Sequence, residues 1–380
     1  MQAVGFIAVT IARRFAEEEP GVFRRMRENQ EKRSDQRMID GQVVDTRVHE
    51  LLSLLTSDAS PNVHRLRQVA NAIEPLAFNI KQMGYALARQ LADALPPAGP
   101  TEPRRVNLPN SLSTQAAIES DWAAHWCNEL KIPVVYHRKV WELCFVLQSI
   151  YDHGHIRPGA RGLGFGCGTE ALPSYFAAHD VSILATDQEP EAAERAHWVQ
   201  TGQHTTALDQ CFMPHLVDRA CFDRNVAMRY VDMNIIPDDL ADFDFCWSIC
   251  ALEHLGSIDH GLAFVENSLK TLRPGGLSVH TTEFNIREDG PTIDNWPSVA
   301  FQRRHMERIT ARLRAQGHKV APFDFSLGDG PLDRFVDLPP FHHDLPENIG
   351  KWLGEPHHIK LAMDGLVVTC IGIAVEKASH

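Results

Sequence analysis

The segment Gly162-Leu163-Gly164-Phe165-Gly166-Cys167-Gly168 places a glycine at every second position. It follows a short apolar run and precedes a helical stretch, and glycines at such a turn let the backbone bend tightly and approach a ligand closely. Two phosphate-binding signatures are excluded by the spacing. A dinucleotide fingerprint requires glycine at 167 or 169, which hold Cys167 and Thr169, and a P-loop requires a lysine that the segment lacks.

Short apolar runs alternate with helical stretches on both sides of this turn. The runs are RGLGF, VSILATD, VAMRYVD, DFDFCWSIC and GLSVHTTEF, and helices are expected over residues 190–199, 258–272 and 299–316. This alternation predicts an α/β fold with a doubly wound parallel sheet and helices on both faces. HKVAPFDF at residues 318–325 is expected to add a strand. The chain then continues through IKLAM, Asp364-Gly365 and LVVTCIGIAV, which predicts a hairpin and an antiparallel last strand.

A proline-rich segment at residues 95–109, LPPAGPTEPRRVNLP, divides the chain. It predicts an all-helical N-terminal region over 1–110 and a sheet domain over 111–380, with helices at 114–130 and 137–151. In the N-terminal region, apolar residues recur at steps of three and four, after a possible cap at Asn62: Leu66, Val69, Ile73, Leu76, Ile80, Met83 and Leu87. This seam, with a partner stripe at Val44, Val48, Leu51 and Leu55, fits a bundle packed on itself, a homo-oligomer contact or a lid.

Acidic residues follow two of the predicted strands. Asp187 ends the second strand, about twenty residues past the glycine turn, where a carboxylate can accept both hydroxyls of a ribose; the other interpretation is a cap of the helix that starts near Pro190. Asp232 and Met233 follow the third strand, where an adenine could lie. The segment from Leu272 to Leu277, LRPGGL, ends a helix and turns into a central strand.

Together, these motifs resemble the class I S-adenosylmethionine-dependent methyltransferases over residues 157–376. The resemblance implies a seven-stranded Rossmann-like sheet with an antiparallel last strand, and S-adenosylmethionine as cofactor. It assigns these cofactor-binding residues: Gly164, Gly166 and Gly168 at the methionine part, Asp187 at the ribose, and Asp232 and Met233 at the adenine. Cys250, after the fourth strand, is a further candidate for cofactor binding. The sequence departs at Gly162, where the family usually has an acid. The cofactor's amino group therefore needs another acceptor, such as the helices around residues 122–136.

The candidate catalytic residues are Glu253 and His254 after the fourth strand, and Glu283 at the end of the fifth. Strand alternation puts Thr281 and Glu283 on one face and His280 and Thr282 on the other. Three explanations stay open: His254 or Glu283 is a general base, His254 and Glu283 bind a divalent metal with His342 or His343, or the histidines are structural and Glu253 caps a helix. The metal is not favoured, because no fixed ligand spacing supports it. These loops lie on one rim, which places His254, His280, His342 and His343 around one pocket.

The favoured function is transfer of a methyl group from S-adenosylmethionine to a hydroxyl of a small-molecule or carbohydrate acceptor, with residues 326–357 as a lid over the acceptor. The alternative is a methyltransferase-like scaffold that binds a partner and has a vestigial cofactor site. Nucleic acid is not expected as a partner, because Lys+Arg 37 against Asp+Glu 49 gives a net charge of −12. The residues after the fourth strand also lack an Asn-Pro-Pro-Tyr type motif.

Composition predicts a soluble, cytoplasmic protein. The eight cysteines are scattered and none forms a CxxC pair, which fits a reducing compartment. The apolar run at residues 3–12 is far shorter than the roughly 20 residues of a membrane span, so no membrane partner is expected. The 20 histidines are the unusual feature, because histidine titrates near neutral pH and binds metals readily.

Overall fold

The structure is a computed structural model, and it describes residues 53–56, 60–96, 102–189 and 208–379. The predictions for the apolar run at 3–12, the stripe from Val44 to Leu51 and the helix at 190–199 lie outside these residues. Contacts divide the chain into two units, Met1–Ile80 and Lys81–His380. The division into domains at residue 110 stays a prediction.

The described residues form nine α-helices. They are α1 (Val63–Ala94), α2 (Gln115–Ile118), α3 (Asp121–Glu129), α4 (Arg138–Asp152), α5 (Leu172–Ala178), α6 (Arg219–Asn225), α7 (Ile258–Ser268), α8 (Arg303–Ala315) and α9 (Glu347–Leu353).

The same residues form eleven strands. They are β1 (Asn110–Ser111), β2 (Arg161–Gly164), β3 (Ser182–Asp187), β4 (Val226–Tyr230), β5 (Phe243–Ile249), β6 (Leu272–Asn285), β7 (Lys319–Val320), β8 (Phe323–Asp324), β9 (Val336–Asp337), β10 (Lys360–Met363) and β11 (Leu366–Glu376).

The central sheet has the order β4-β3-β2-β5-β6-β11-β10-β9, and β7 pairs with β11. Strands β4, β3, β2, β5 and β6 are parallel, and β11 lies antiparallel to both β6 and β10. The doubly wound sheet with a reversed last strand is therefore confirmed. The short strands β9 and β7 extend the expected seven, because each finds a free edge beside β10 or β11.

The terminal hairpin forms as the sequence predicts. Asp364 and Gly365 both have positive φ, of 46° and 80°, which is the backbone of a type I′ turn. In contrast, residues 318–325 do not form one strand. The strand is interrupted at Pro322, which has no backbone N–H to donate. As a result, β7 pairs with β11, whereas β8 pairs with β1 in a separate small sheet.

Helices cover both faces of the central sheet. Side chains of α3, α4 and α5, among them Trp126, Phe145 and Phe176, belong to one buried cluster, and those of α7 and α8, among them Phe264 and Ile309, belong to another. Helix α4 approaches the sheet closely, since a Cβ on Gly372 of β11 would collide with the Phe145 ring. This close packing brings the first turn of α4 to the end of the central strands.

The N-terminal caps and the bounds of the helices agree with the sequence prediction only in part. Asn62 caps α1, because its side-chain oxygen accepts from Arg65 N at 3.1 Å, and Pro75 lies inside that helix. The predicted helix at 114–130 is instead two helices, α2 and α3, which are capped by Thr114 and Ser120. Within the parts of the chain that the structure describes, every helix is too short or too polar to cross a bilayer.

Candidate functional site

A cavity of about 400 Å³ lies at the carboxyl ends of the parallel strands. This is the edge at which doubly wound sheets bind their ligands. Five segments form its wall: residues 166–170 after β2, 187–188 at the end of β3, 231–234 after β4, 249–251 with 254–255 after β5, and Lys139 in the first turn of α4.

The glycine turn exposes backbone to this cavity. Gly166 and Gly168 have φ of 59° and 53°, a left-handed conformation that favours glycine, and both line the wall. A Cβ on Gly166 would lie 3.0 Å from Ala251 Cβ. Gly164 is different, because it lies beneath the turn, where a Cβ would collide with the Cys167 sulfur and the Trp247 ring. The structure therefore gives Gly164 a packing role and places it off the cavity wall.

The departure from the family pattern at Gly162 has a structural explanation. A Cβ at Gly162 would meet the Phe245 ring and Ile183 Cδ1 at 2.5 and 2.7 Å, so this position belongs to the core and not to the cavity. A carboxylate does reach the wall, from Glu170. It accepts from Trp247 Nε1 at 2.6 Å, and burial raises the pKa of Glu170 to about 8.

Asp187, at the end of β3, is buried and lines the cavity. Its two oxygens accept from Gly168 N at 3.1 Å and from Gln188 N at 2.8 Å, which fixes the carboxylate beside the glycine turn. Carboxylate oxygens have further lone pairs for hydroxyl donors. Asp232 and Met233 line the neighbouring wall, and Asp232 Oδ1 accepts from Asn234 N at 2.8 Å.

His254 also lines the cavity, next to the end of β5. Its Nδ1 lies 3.0 Å from the Pro297 carbonyl oxygen, which can only accept, so Nδ1 carries the proton and Nε2 the lone pair. Burial lowers the pKa of His254 to about 4, and the imidazole is therefore neutral at neutral pH.

The two glutamates predicted beside His254 lie behind the cavity wall. Glu253 is fully buried, its Oε2 accepts from Thr282 Oγ1 at 3.0 Å, and its Oε1 lies 3.9 Å from His254 Nε2. Burial, together with the negative charge of Glu283, raises the pKa of Glu253 to about 7. Glu283 forms an ion pair with Arg138 of α4. Neither carboxylate belongs to the cavity wall, which leaves His254 as the predicted catalytic residue on the wall.

The face prediction for β6 is correct, and it removes His280 from the rim. Thr281 donates to Glu142 of α4 on one face, whereas His280 lies on the other, fully buried, with Nδ1 2.8 Å from Ser248 Oγ. Burial lowers the pKa of His280 to about 3. His280 is therefore a buried, neutral histidine of the core.

The predicted metal set of His254, Glu283 and His342 or His343 is not assembled. Among the described residues, the groups of ligand atoms within 4.8 Å of one another contain only glutamates and cysteines. His342 and His343 are exposed, on a short turn that precedes α9. The predicted lid at 326–357 likewise supplies none of the described residues on the cavity wall.

Helix α4 brings to this region charged residues that no sequence motif marks. Arg138, Lys139 and Glu142 lie in its first turns, and Glu142 is fully buried. The available signal was charge: these residues interrupt a helix that is otherwise largely apolar, which is unusual for a helix packed on a sheet.

No protein-family model matches the sequence, and no curated protein matches it. Solved structures do show similarity. A protein named as a sarcosine dimethylglycine methyltransferase from Galdieria sulphuraria has 14% identity and a TM-score of 0.38, with 68% of this chain and 99% of that chain covered. An S-adenosylmethionine-dependent methyltransferase from Mesorhizobium loti has 14% identity, a TM-score of 0.31 and coverage of 58% and 92%.

A phosphoethanolamine N-methyltransferase from Haemonchus contortus has 12% identity and a TM-score of 0.36, with 61% of this chain and 52% of that chain covered. At such identities and TM-scores the likeness carries no conclusion about this chain. The strand order and the direction of the last strand come from this chain itself. That topology, with the glycine turn after the first parallel strand, is the one implied by the resemblance of the sequence motifs to the class I S-adenosylmethionine-dependent methyltransferases.

Proposed function

We propose that this protein transfers a methyl group from S-adenosylmethionine to a hydroxyl group of a small-molecule or carbohydrate acceptor. One observation carries the proposal: a single cavity is lined both by the glycine turn with Asp187 and by the neutral imidazole of His254. The first group suits the cofactor, and the second suits a hydroxyl that must lose a proton.

The wall residues fit the cofactor by their chemistry. The backbone at Gly166 and Gly168 is open to a ligand, Asp187 offers acceptors for ribose hydroxyls, and Asp232 with Met233 offers a polar and an apolar contact for an adenine. The cofactor's ammonium group needs an acceptor, which the glycine at position 162 cannot supply. The carboxyl group of Glu170 supplies it. When bound, S-adenosylmethionine supplies an electrophilic methyl group on a sulfonium.

His254 is the general base in this proposal. Its Nε2 would accept the hydroxyl proton as the hydroxyl oxygen bonds to the methyl carbon and the methyl–sulfur bond breaks. The proton would then reside on the imidazole, and S-adenosylhomocysteine would be the leaving group. Glu253 Oε1, 3.9 Å from Nε2, stabilises the resulting positive charge. Glu253 and Glu283 act through position and charge, since neither lines the cavity.

The acceptor class is supported by charge and by wall chemistry. A net charge of −12 disfavours polyanionic acceptors, and polar side chains such as Lys139 and Asn234 lie on the wall. The alternative, a scaffold with a vestigial cofactor site, drew its support from the missing acid at Gly162. That support is weaker, because position 162 lies in the core and Glu170 provides a carboxylate on the wall.

The test uses tritiated methyl groups on S-adenosylmethionine and a panel of monosaccharides, oligosaccharides, phenols and amines. We expect label to enter a hydroxyl compound. The His254→Ala variant should then turn over about 10²–10⁴-fold more slowly, with unchanged cofactor affinity. His260→Ala is the matched control, because His260 is an exposed histidine on the nearby helix α7.

If the tritium label enters only amines, the proposal of a hydroxyl acceptor is contradicted. Equal turnover in the His254→Ala and His260→Ala variants would contradict the general base. Cofactor binding without any methyl transfer across the panel would favour the scaffold.

A further inference from the structure

A pair of thiols shares one carboxylate behind the cavity wall. Cys250, directly after β5, and Cys370, on β11, have their sulfurs 3.6 Å apart. Cys250 Sγ lies 2.8 Å from Glu142 Oε2, and Cys370 Sγ lies 3.0 Å from Glu142 Oε1. Because a carboxylate only accepts, each thiol donates its proton to Glu142. Glu142 and Cys370 are fully buried, and Cys250 also lines the cofactor cavity.

Both cysteines of this pair are free thiols. Strand β6 lies between β5 and β11, since Ile249 pairs with Thr281 and Cys370 pairs with Glu283. The sulfurs, 3.6 Å apart, are well beyond the roughly 2.05 Å of a disulfide bond. The two side chains therefore approach each other across the intervening strand without a bond between them.

A tetrahedral metal ion does fit. Two thiolates bound to zinc at about 2.3 Å are about 3.8 Å apart, close to the separation of these sulfurs. Two thiolates and a carboxylate are a ligand set for zinc and for similar thiophilic divalent ions. We propose that Cys250, Cys370 and Glu142 bind a divalent metal ion of this class.

A second observation supports a ligand at this place. A carboxylate oxygen of Glu253 and one of Glu283 lie within 4.8 Å of Cys250 Sγ and of each other. Both side chains are more than nine-tenths buried, and Glu253 Oε1 and Glu283 Oε2 have no hydrogen-bond partner. Buried, unpartnered carboxylate oxygens are costly, and a ligand at this place would offset that cost. This second group shares Cys250 with the first, so its carboxylates lie directly beside the proposed ion.

The surrounding charges balance an ion. Arg138 pairs with Glu283, and Lys139 Nζ lies 3.7 Å from Glu142 Oε1, so the two cations already offset the two carboxylates. Binding of a divalent ion releases two thiol protons to solvent, which leaves the net charge of the cluster unchanged. Arg138 Nη1, 3.2 Å from Cys370 Sγ, is placed to donate to the bound thiolate.

The site goes beyond the proposed methyl transfer, because metal binding here requires neither cofactor nor acceptor. The ion would tie the end of β5, strand β11 and helix α4 together beside the cofactor cavity. The probes are Zn²⁺ and Co²⁺, titrated separately into full-length protein that lacks a polyhistidine tag and has been treated with a chelator. We expect one Zn²⁺ per chain, and with Co²⁺ the near-ultraviolet charge-transfer absorption of a cobalt–thiolate bond.

Two variants and one matched control locate the ion. Cys370→Ser and Glu142→Gln should each weaken Zn²⁺ binding by about 100-fold or more, since loss of an outer-shell partner alone costs 10–100-fold. Cys127→Ser should bind Zn²⁺ like the wild type. Cys127 is a buried cysteine whose sulfur lies 3.8 Å from Cys144 Sγ, and that pair appears in no group of metal ligands among the described residues.

Folded wild-type protein without the cobalt–thiolate absorption would overturn the proposal, and this measurement needs no variant. Undiminished Zn²⁺ affinity in Cys370→Ser or Glu142→Gln would also overturn it. So would a Cys250–Cys370 disulfide found by mass spectrometry in protein purified without reductant.

Discussion

At neutral pH, a carboxyl group with the raised pKa of Glu170 is mostly protonated. Trp247 Nε1 donates to it at 2.6 Å and holds it on the cavity wall. An ammonium group bound beside it would favour the ionised form, and the carboxyl proton would leave. Cofactor binding should therefore be coupled to proton release at this residue.

We predict that binding of S-adenosylhomocysteine at about pH 7 releases close to one proton per chain, since a group with a pKa of about 8 is largely protonated there. Calorimetry in phosphate and in Tris should give different binding enthalpies. Glu170→Gln should abolish the difference and weaken binding, whereas Glu347→Gln, at an exposed glutamate, should change neither. Undiminished proton release by Glu170→Gln would contradict the assignment.

Single residues on the cofactor side were predictable, because their signals are local. The conformation at Gly166 and Gly168 follows from the spacing of glycines, and the place of Asp187 follows from the end of a strand. Glu170 and Lys139 were not predictable, because no motif marks them and tertiary packing alone brings them to the cavity. His280 was predicted at the rim and is instead buried. Strand alternation predicted the correct face of β6, but it could not indicate that this face packs into the core.

Helix α4 connects the sheet to the candidate site. Its middle packs against β11 where Gly372 allows close approach to Phe145, and its first turn brings Arg138 and Lys139 to the ends of β5 and β6. The sequence predicted this helix almost to its ends. The position of its charged first turn depends on the close approach at Gly372. The sequence near Gly372 does not indicate this approach.

The C-terminal part of α1 is anchored to β9 by a buried ion pair. Lys81 Nζ lies 2.6 Å from Asp337 Oδ1, and Asp337 Oδ2 accepts from Tyr85 Oη at 3.0 Å and lies 2.9 Å from His358 Nδ1. Removal of one partner leaves a buried charge uncompensated.

We predict that Lys81→Met lowers the free energy of unfolding by about 3–5 kcal/mol. Lys351→Met is the control, because its ion pair with Glu347 is exposed, and it should cost about 0–1 kcal/mol. The double variant Lys81→Met/Asp337→Leu should recover part of the loss. Urea denaturation checks all three, and equal effects of the two lysine variants would contradict the anchoring role.

The whole molecule should lose stability in acid. Burial lowers the pKa of several histidines to about 4, or to about 3 for His280, below the unfolded value of about 6.5. These histidines are His155, His254, His280, His305 and His357. Each contributes stability that is present above about pH 6.5 and is lost as the pH falls toward 4.

Glu170 and Glu253 act with the opposite sign, because raised carboxyl pKa values give stability that is lost as the pH rises through about 7–8. The histidines outnumber them, so unfolding takes up protons at mildly acidic pH. We predict a lower urea midpoint at about pH 5 than at about pH 6.5. An equal or higher midpoint at about pH 5 would contradict the neutral state of the buried histidines.

At the scale of the molecule, the fold class was predictable, because a parallel sheet requires strands that alternate with helices along the chain. Pairings between strands far apart in the sequence were not predictable. An example is β8, which pairs with β1 more than 200 positions away. Homo-oligomer formation through α1 stays a prediction. Leu76 and Met83 of its apolar seam are 58% and 76% exposed, so the seam has surface available for a partner.

Calorimetric titration of the folded wild-type chain with S-adenosylmethionine tests the central claim most directly. We predict one binding site per chain with a dissociation constant of tens of micromolar or tighter. In the Asp187→Ala variant, affinity should fall at least tenfold, or about 1.4 kcal/mol. Asp239→Ala, at an exposed aspartate paired with Arg229, should bind like the wild type. Absence of any binding heat with folded wild-type protein at these concentrations would contradict the account.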